Sequence, residues 1–269
     1  MTAALEFTIL GCGSSGGVPR ADGNWGDCDP AEPKNRRSRC SLLVRRRTGE
    51  GETCVLIDTS PDLRLQCIAA NVQRLDAILY THDHADQAHG IDDARAFFLR
   101  NRVRIPAWMD QVTHDSLMQR FGYIFRAQGG YPAILEERLI PPHGAAWSVG
   151  GAGGDIPVCT FDLEHGEIRS VGYRLGDVAY TPDVGGIPEE SFEALSGLDV
   201  WIVDALRWTT HPSHAHVERS LEWIARARPR LAILTNMHID LDYNDLSAKL
   251  PANVIAAFDG QIFESPVTA

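Results

Sequence analysis

At 269 residues the chain is long enough to bury one large core or two small ones, and its 44% hydrophobic and 23% charged content is that of an ordinary globular protein. A formal net charge of -11 argues against broad contact with a nucleic-acid backbone, and no apolar run approaches the length of a membrane span. Residues 1–6 carry neither a basic region nor an apolar stretch, so no signal peptide is expected and the expected compartment is the cytoplasm.

Residues 5–10 alternate and predict a first strand, and a glycine-rich turn follows over 11–19. The stretch 20–39 is polar and irregular, with a basic cluster of Lys34, Arg36, Arg37 and Arg39; a loop of this length in a compact unit is commonly functional. Residues 40–46 and 53–58 predict a hairpin turning near Gly49-Glu50-Gly51. A helix is expected over 61–71, with Ser60 as N-cap and Pro61 in the first turn. The apolar run 75–80 predicts a buried strand, 91–99 a helix, 104–108 a strand, and 111–121 a helix capped by Asp110. Residues 122–154 are rich in Gly and Pro and are expected to form a lid or insertion that shapes the substrate pocket.

The second half repeats this logic. Strands are expected over 157–163, 171–175, 178–181, 200–203, 231–234, 254–257 and 261–264, with a helix over 217–227. Strands interleaved with helices in both halves predict two sheets sandwiched between helices. The six cysteines form no CxxC pair and are expected as free thiols in or near the core. Cys28, in the polar loop, is the exception and reads as a ligand or a surface thiol.

The residues that carry chemistry lie just past the apolar runs. His82-Asp83-His84-Ala85-Asp86 follows the run 75–80 and offers two imidazoles and a carboxylate, a donor set suited to one ion held by the histidines and a second held by the aspartate. His165, Asp183, Asp204 and His238 also follow predicted strands, and strand ends on one edge of a sheet converge. His211-Pro212-Ser213-His214-Ala215-His216 opens the predicted helix at Val217. A histidine near its ordinary pKa can give a proton to a departing oxygen, whereas the plain alternative for such a cluster is a polar N-cap segment.

Residues 81–86, 163–166, 180–185 and 235–239 resemble four metal motifs of the metallo-β-lactamase superfamily, and the similarity runs over nearly the whole chain. Residues 10–19, Leu163-Glu164-His165-Gly166 followed by Gly172-Tyr173, residues 180–188 and Phe258-Asp259-Gly260 are similar to the branch that contains the phosphoribosyl cyclic phosphate phosphodiesterases. The resemblance implies an α/β four-layer αββα sandwich forming one domain over 1–269. It implies two divalent ions, Zn²⁺ or Mn²⁺, with His82, His84 and His165 on the first, Asp86 and His238 on the second, and Asp183 bridging. A hydroxide between the ions would attack, with Asp86 counted among the catalytic residues and His214 as general acid. Asp204 would orient a ligand histidine from behind.

One position departs from the family pattern. Gln87 stands where a further histidine ligand of the second metal is usual, so that site is expected to be looser or to favour a harder ion. His89 falls at a non-ligand position. Ser14, Arg20, His211 and His216 are expected at the substrate; Lys34, Arg36 and Arg37 are alternatives whose default is a solvated loop. The structural zinc that the resembling phosphodiesterases build from clustered cysteines is not expected, because Cys28 stands alone and Leu241 takes a histidine's place.

The expected activity is a metal-dependent phosphodiesterase acting on a small phosphate ester, a cyclic phosphate or nucleotide. The competing readings are a lactone or thioester hydrolase, a tRNA-processing enzyme, which the charge disfavours, and a non-hydrolytic ligand-binding or cofactor-biosynthesis relative. The expected partner is a small phosphate-containing substrate, with no membrane and no large nucleic acid; a homodimer is compatible with the sequence and not required by it.

Overall fold

The structure is a computed structural model that describes residues 4–266. Residues 1–3 and 267–269, the ends of the expected 1–269 unit and part of the stretch read for a leader, lie outside the described residues. The first half runs β1 (Ala4–Gly11), β2 (Ser41–Thr48), β3 (Gly51–Ile57), α1 (Leu63–Ala69), β4 (Ala77–Leu79), α2 (Ala85–Ala88), α3 (Ala94–Asn101), β5 (Ile105–Met109), α4 (Gln111–Phe125) and β6 (Leu135–Leu139). The second runs β7 (Ala146–Val149), β8 (Ile156–His165), β9 (Ile168–Leu175), β10 (Val178–Thr181), β11 (Val200–Asp204), α5 (Val217–Ala227), β12 (Leu231–Thr235), α6 (Tyr243–Lys249), β13 (Val254–Ala256) and β14 (Gln261–Pro266).

These strands form two seven-stranded sheets, ordered β14-β1-β2-β3-β4-β5-β6 and β13-β12-β11-β10-β9-β8-β7. Each is antiparallel on one side and parallel on the other, with β3 to β6 parallel in the first and β10 to β13 in the second. A parallel pair needs a crossover, and here the crossovers place helices on the outer faces, which yields the αββα layering. The central strands β2 and β3 of the first sheet are buried on both faces along much of their length. Leu42, Val44, Val55 and Ile57 enter the core between the sheets, while Leu43, Cys54 and Leu56 pack outward with Leu63, Phe97 and Leu117 of the helices. Burial on both faces is why these strands read as nearly continuous apolar runs.

Several boundaries differ from expectation. The helix placed at 61–71 is α1, which starts at Leu63; Ser60 forms the preceding turn, its hydroxyl accepting the Asp62 N–H at 3.2 Å. The helix placed at 91–99 divides into a 3₁₀ turn, Ile91–Asp93, and α3. Asp110 caps α4 as expected, accepting the Thr113 N–H at 2.8 Å, and the backbone break at Phe121 (φ -128°) marks where the apolar pattern stopped although the helix continues.

Residues 122–154 are neither lid nor insertion. They end α4 and supply β6 and β7, one edge strand to each sheet. The exposed Glu137 and Arg138 of β6 hide its strand character, because edge strands tolerate charge. Cys28 is likewise a correction. It is 3% exposed, packs with Val18 and Ile239, and its thiol donates to the Ile239 carbonyl at 3.3 Å, so it is no surface thiol.

The Phe258-Asp259-Gly260 segment ties the last strand to the glycine-rich turn. Asp259 accepts the Cys12 N–H at 3.1 Å and both the Ser38 N–H and hydroxyl, at 2.7 and 2.6 Å. Burial pushes its carboxyl up to about 6, against the pull of these hydrogen bonds. Among the described residues no helix is long and apolar enough to cross a membrane.

Candidate metal centre

The parallel strands β4, β10, β11 and β12 each carry polar residues just past their C-terminal ends, and β8 runs in the direction of β10 because both are antiparallel to β9. The two sheets therefore deliver the His82 turn, His165, Asp183, Asp204 and the Asn236–His238 segment to one edge of the sandwich.

His82, His84 and His165 meet there, with one potential donor atom from each lying within 4.8 Å of the others. Two of the three have their ring protons committed elsewhere. His165 Nδ1 donates to the Ser213 carbonyl at 2.8 Å, which leaves a bare Nε2 that faces His84 Nδ1 at 3.3 Å. His82 Nδ1 lies 3.0 Å from the Thr81 hydroxyl, whose own proton goes to Asp58 Oδ2 at 2.9 Å, so His82 donates. That leaves His82 Nε2 buried and, among the described residues, without a hydrogen-bond partner. Burial and the neighbouring imidazoles hold His82 well below the usual histidine range and His165 at about 4, so both are neutral at physiological pH. Two neutral imidazoles with a third, His84, convergent on them fit a divalent cation.

The close approach of Ser213 rests on two glycines. A Cβ at Gly166 (φ +62°) would lie 2.8 Å from the Ser213 Cβ, and one at Gly185 would lie 2.8 Å from the Ser213 carbonyl oxygen. Any side chain at either position would push away the carbonyl that orients His165.

Asp183 is 2% exposed beside this cluster. Burial raises its carboxyl well above the usual range, and Asp86, Asp204 and Asp58 raise it further, while His214 opposes them. Such a gathering of carboxylates wants a cation. Gln87 does not take the place of a ligand imidazole. Its amide Nε2 donates to Asp183 Oδ2 at 2.8 Å, and its Oε1 is buried with no partner among the described residues. His238 stands at the cavity wall, outside the two tight donor clusters, with Nδ1 2.6 Å from Asp240 Oδ1 and Nε2 against the Arg20 guanidinium.

His214 belongs to the centre more intimately than its sequence position implied: it forms a second donor cluster with His165 and Asp183. Its Nδ1 lies 2.8 Å from Asp204 Oδ2 and 3.8 Å from Asp183 Oδ1, and its ring centroid is 4.6 Å from that of His165. Burial alone would lower its pKa, but Asp204, Asp183 and Asp86 raise it to about 9, so the ring is protonated at neutral pH. Asp204 thus holds His214 and not one of the three clustered imidazoles. Ser14, Arg20, His211, His214 and His238 line one cavity of about 370 Å³. No residue of 122–154 lines it, and neither does His216, a correction to the expected substrate contact; His216 is the N-cap of α5, its carbonyl accepting the Ser220 N–H at 3.1 Å.

The alternative cations are engaged elsewhere. Arg37 is 2% exposed and donates to Asn35 and to the His238 carbonyl; Lys34 bonds the Tyr243 hydroxyl, and Arg36 lies over Trp25. His89 packs edge-on to Phe121 and contacts Arg120. Two site residues escaped sequence reasoning. Asp58 (φ +63°) clamps Thr81 through both carboxylate oxygens, and Asn236 (φ +59°) reaches Asp183 and Asp204 at 3.4 and 3.2 Å. Both are non-glycine residues in the left-handed region, a strain that collects at functional sites. Each follows an apolar strand, the same signal that marked Asp183.

Comparison with known proteins agrees with this geometry. A family described as the β-lactamase superfamily domain matches residues 53–239. A diphosphatase from the PhnP family superposes with a TM-score of 0.86 at 32% identity, covering all of both chains. The zinc-bound PqqB from Methylobacterium extorquens shares the fold, with a TM-score of 0.73 at 16% identity over 96% of this chain and 99% of that one. Among curated proteins, an octanoyltransferase of Porphyromonas gingivalis strain W83 is 30% identical over 264 residues, which are 95% of this chain and 51% of the relative. The chain therefore spans about half the length of that relative.

Proposed function

Because this chain belongs to the β-lactamase superfamily and, within it, to the PhnP family, we propose that it is a metal-dependent phosphodiesterase acting on a small phosphate ester. The observation that carries the reading is His214, a protonated imidazole fixed by Asp204 beside the His82, His84 and His165 cluster. Phosphate esters with alkoxide leaving groups need a proton for the departing oxygen; lactones and thioesters need it less.

His82, His84 and His165 would hold one divalent ion, Zn²⁺ or Mn²⁺, and Asp86 and His238 a second, with Asp183 shared. Bound there, divalent cations polarise phosphoryl oxygens and ionise water near neutral pH. The remaining work falls to the chain. Asp58 and Thr81 set the His82 tautomer, and the Ser213 carbonyl sets that of His165. Asp240 does the same for His238. Asp204 aims His214 and keeps it charged until its proton passes to the leaving oxygen.

The diphosphatase named among the relatives supports phosphoryl chemistry, whereas the octanoyltransferase supports acyl chemistry. One assay separates them. Purified protein supplied with Zn²⁺ or Mn²⁺ is expected to hydrolyse bis-p-nitrophenyl phosphate and to leave an octanoyl thioester and simple lactones intact. Turnover of the thioester or lactone without the phosphodiester would reverse the assignment.

Gln87 makes a second expectation. Its amide occupies an oxygen of Asp183 and offers no nitrogen lone pair, so the second ion should be held more weakly than the first. Gln87→His is expected to retain a second zinc through dialysis that strips it from the native chain, as read by metal analysis. Equal retention by both proteins would assign Gln87 no part in metal affinity.

A further inference from the structure

The three clustered imidazoles are not held alike. His82 and His165 are buried, and the Thr81 hydroxyl and the Ser213 carbonyl fix their rings from behind. His84 is exposed, and its one ring hydrogen-bond contact among the described residues is with His165 itself. Its position therefore depends on the backbone that carries it. That backbone leads into α2, which is only four residues long and whose N-cap, His84, makes no side-chain cap hydrogen bond. A helix this short does not hold its own shape.

The far end of the turn is bolted to Thr59. The Thr59 N–H donates to the Gln87 carbonyl at 2.8 Å, its hydroxyl to the Ala88 carbonyl at 3.1 Å, and its carbonyl accepts the Gly90 N–H at 2.9 Å. The near end is tied to α4 through Asp83, the residue between the two histidines. The Asp83 carboxylate accepts the Ser116 hydroxyl and Arg120 Nη2, the latter at 3.0 Å. Arg120 Nη2 also donates to the Asp83 carbonyl, and Nη1 donates to His89 Nε2 at 3.2 Å. One guanidinium thus spans the turn on both sides of α2. Ser116 and Arg120 are four residues apart on one face of α4, with the buried Leu117 seating the helix against the core. The Tyr80 N–H donates to the Trp108 carbonyl at 2.9 Å, so the strand that feeds α4 also holds the strand that feeds the turn.

A lone half-exposed ion pair contributes little, but a guanidinium with three acceptors on one short turn fixes geometry. We propose that Arg120, with Ser116, is a positioning residue that acts through Asp83 to hold His84 in place for the ion. The inference rests on the His82, His84 and His165 cluster binding a divalent cation and deepens that reading.

The test is competition for Zn²⁺ between the purified protein and a chromophoric chelator, read as the Kd of the tighter ion. Arg120→Ala is expected to raise that Kd about tenfold, the scale set by partners that orient metal-binding histidines. Arg120→Lys should raise it less, because it keeps one charged donor for Asp83 and loses the fork that reaches His89. Asp83→Ala should cost as much as Arg120→Ala, and the double variant no more than either, since the two share one contact. A role confined to the fold would lower the Tm of the ion-free protein and leave the Kd where it is. An unchanged Kd in Arg120→Ala, or losses that multiply in the double variant, would overturn the proposal. If Arg120→Ala does not fold, Arg120→Lys and the single-hydroxyl deletion Ser116→Ala carry the comparison, and a native Kd in both would overturn it equally. Failure of the underlying reading looks different: the native chain itself would take no Zn²⁺ from the chelator.

Discussion

Replacing His214 by alanine is expected to lower kcat on a phosphodiester with an alkoxide leaving group by about 10²–10⁴, while the metal content stays that of the native chain. On bis-p-nitrophenyl phosphate, whose leaving group departs as a stable anion, the loss should be roughly tenfold or less. The split follows from geometry. His214 sits beside the clustered imidazoles and bonds Asp204, so as the proposed proton donor it would act without belonging to the His82, His84 and His165 cluster. Asp204 remains satisfied after the substitution, because it keeps the Val184 N–H at 3.1 Å and the Asn236 amide at 3.2 Å. The pH profile adds an independent readout. On the proposed mechanism the protonated ring is the active form, and burial opposed by Asp204, Asp183 and Asp86 puts its pKa at about 9. Activity should therefore fall as pH rises through that value, or through a lower one once cations neutralise Asp183 and Asp86. The alanine variant should lose this descending limb. Equal losses on both substrates with the limb retained would remove His214 from proton transfer.

Much of this site is legible in the sequence because its parts share one local signal, a polar residue just past a buried apolar run. That signal picks out His82, His165, Asp183, Asp204 and His238, and the sheets bring all five to one edge. It also fits Asp58 and Asn236, which were passed over because neither is a conventional metal ligand in the motif. What they contribute, a clamp on Thr81 and a bridge between Asp183 and Asp204, needs left-handed backbone that no composition reveals. Long-range contacts were illegible for a similar reason. The burial of Arg37 depends on Asn35 and on the carbonyl of His238, some 201 positions away in sequence. Cys28 looks solvated in its polar loop until the segment around Ile239 folds over it. The 122–154 region failed for the opposite reason. Its strands lie at sheet edges, where short length and exposed charge erase the periodicity that marks the central strands.

The second large effect concerns the imidazole cluster. The buried Nε2 of His82, without a hydrogen-bond partner among the described residues, and the bare Nε2 of His165 lie beside the buried Asp183 carboxylate, a donor set that a cation would complete. An ion that binds only the folded chain stabilises it by about 2.7 kcal/mol at a hundredfold excess over its Kd. For a chain of this size that corresponds to roughly 5–10 °C in Tm. Adding EDTA to the native protein is thus expected to lower Tm by about that amount and to abolish hydrolysis, with both restored by Zn²⁺ or Mn²⁺. His82→Ala should reduce turnover at least about a thousandfold on every substrate, since it removes the buried Nε2 that has no other partner. It should also remove most of the EDTA-sensitive Tm shift. These two losses must travel together, because one nitrogen accounts for both. A His82→Ala protein that is inactive yet keeps the full EDTA shift would place the ion elsewhere, and one that keeps turnover would separate hydrolysis from this cluster.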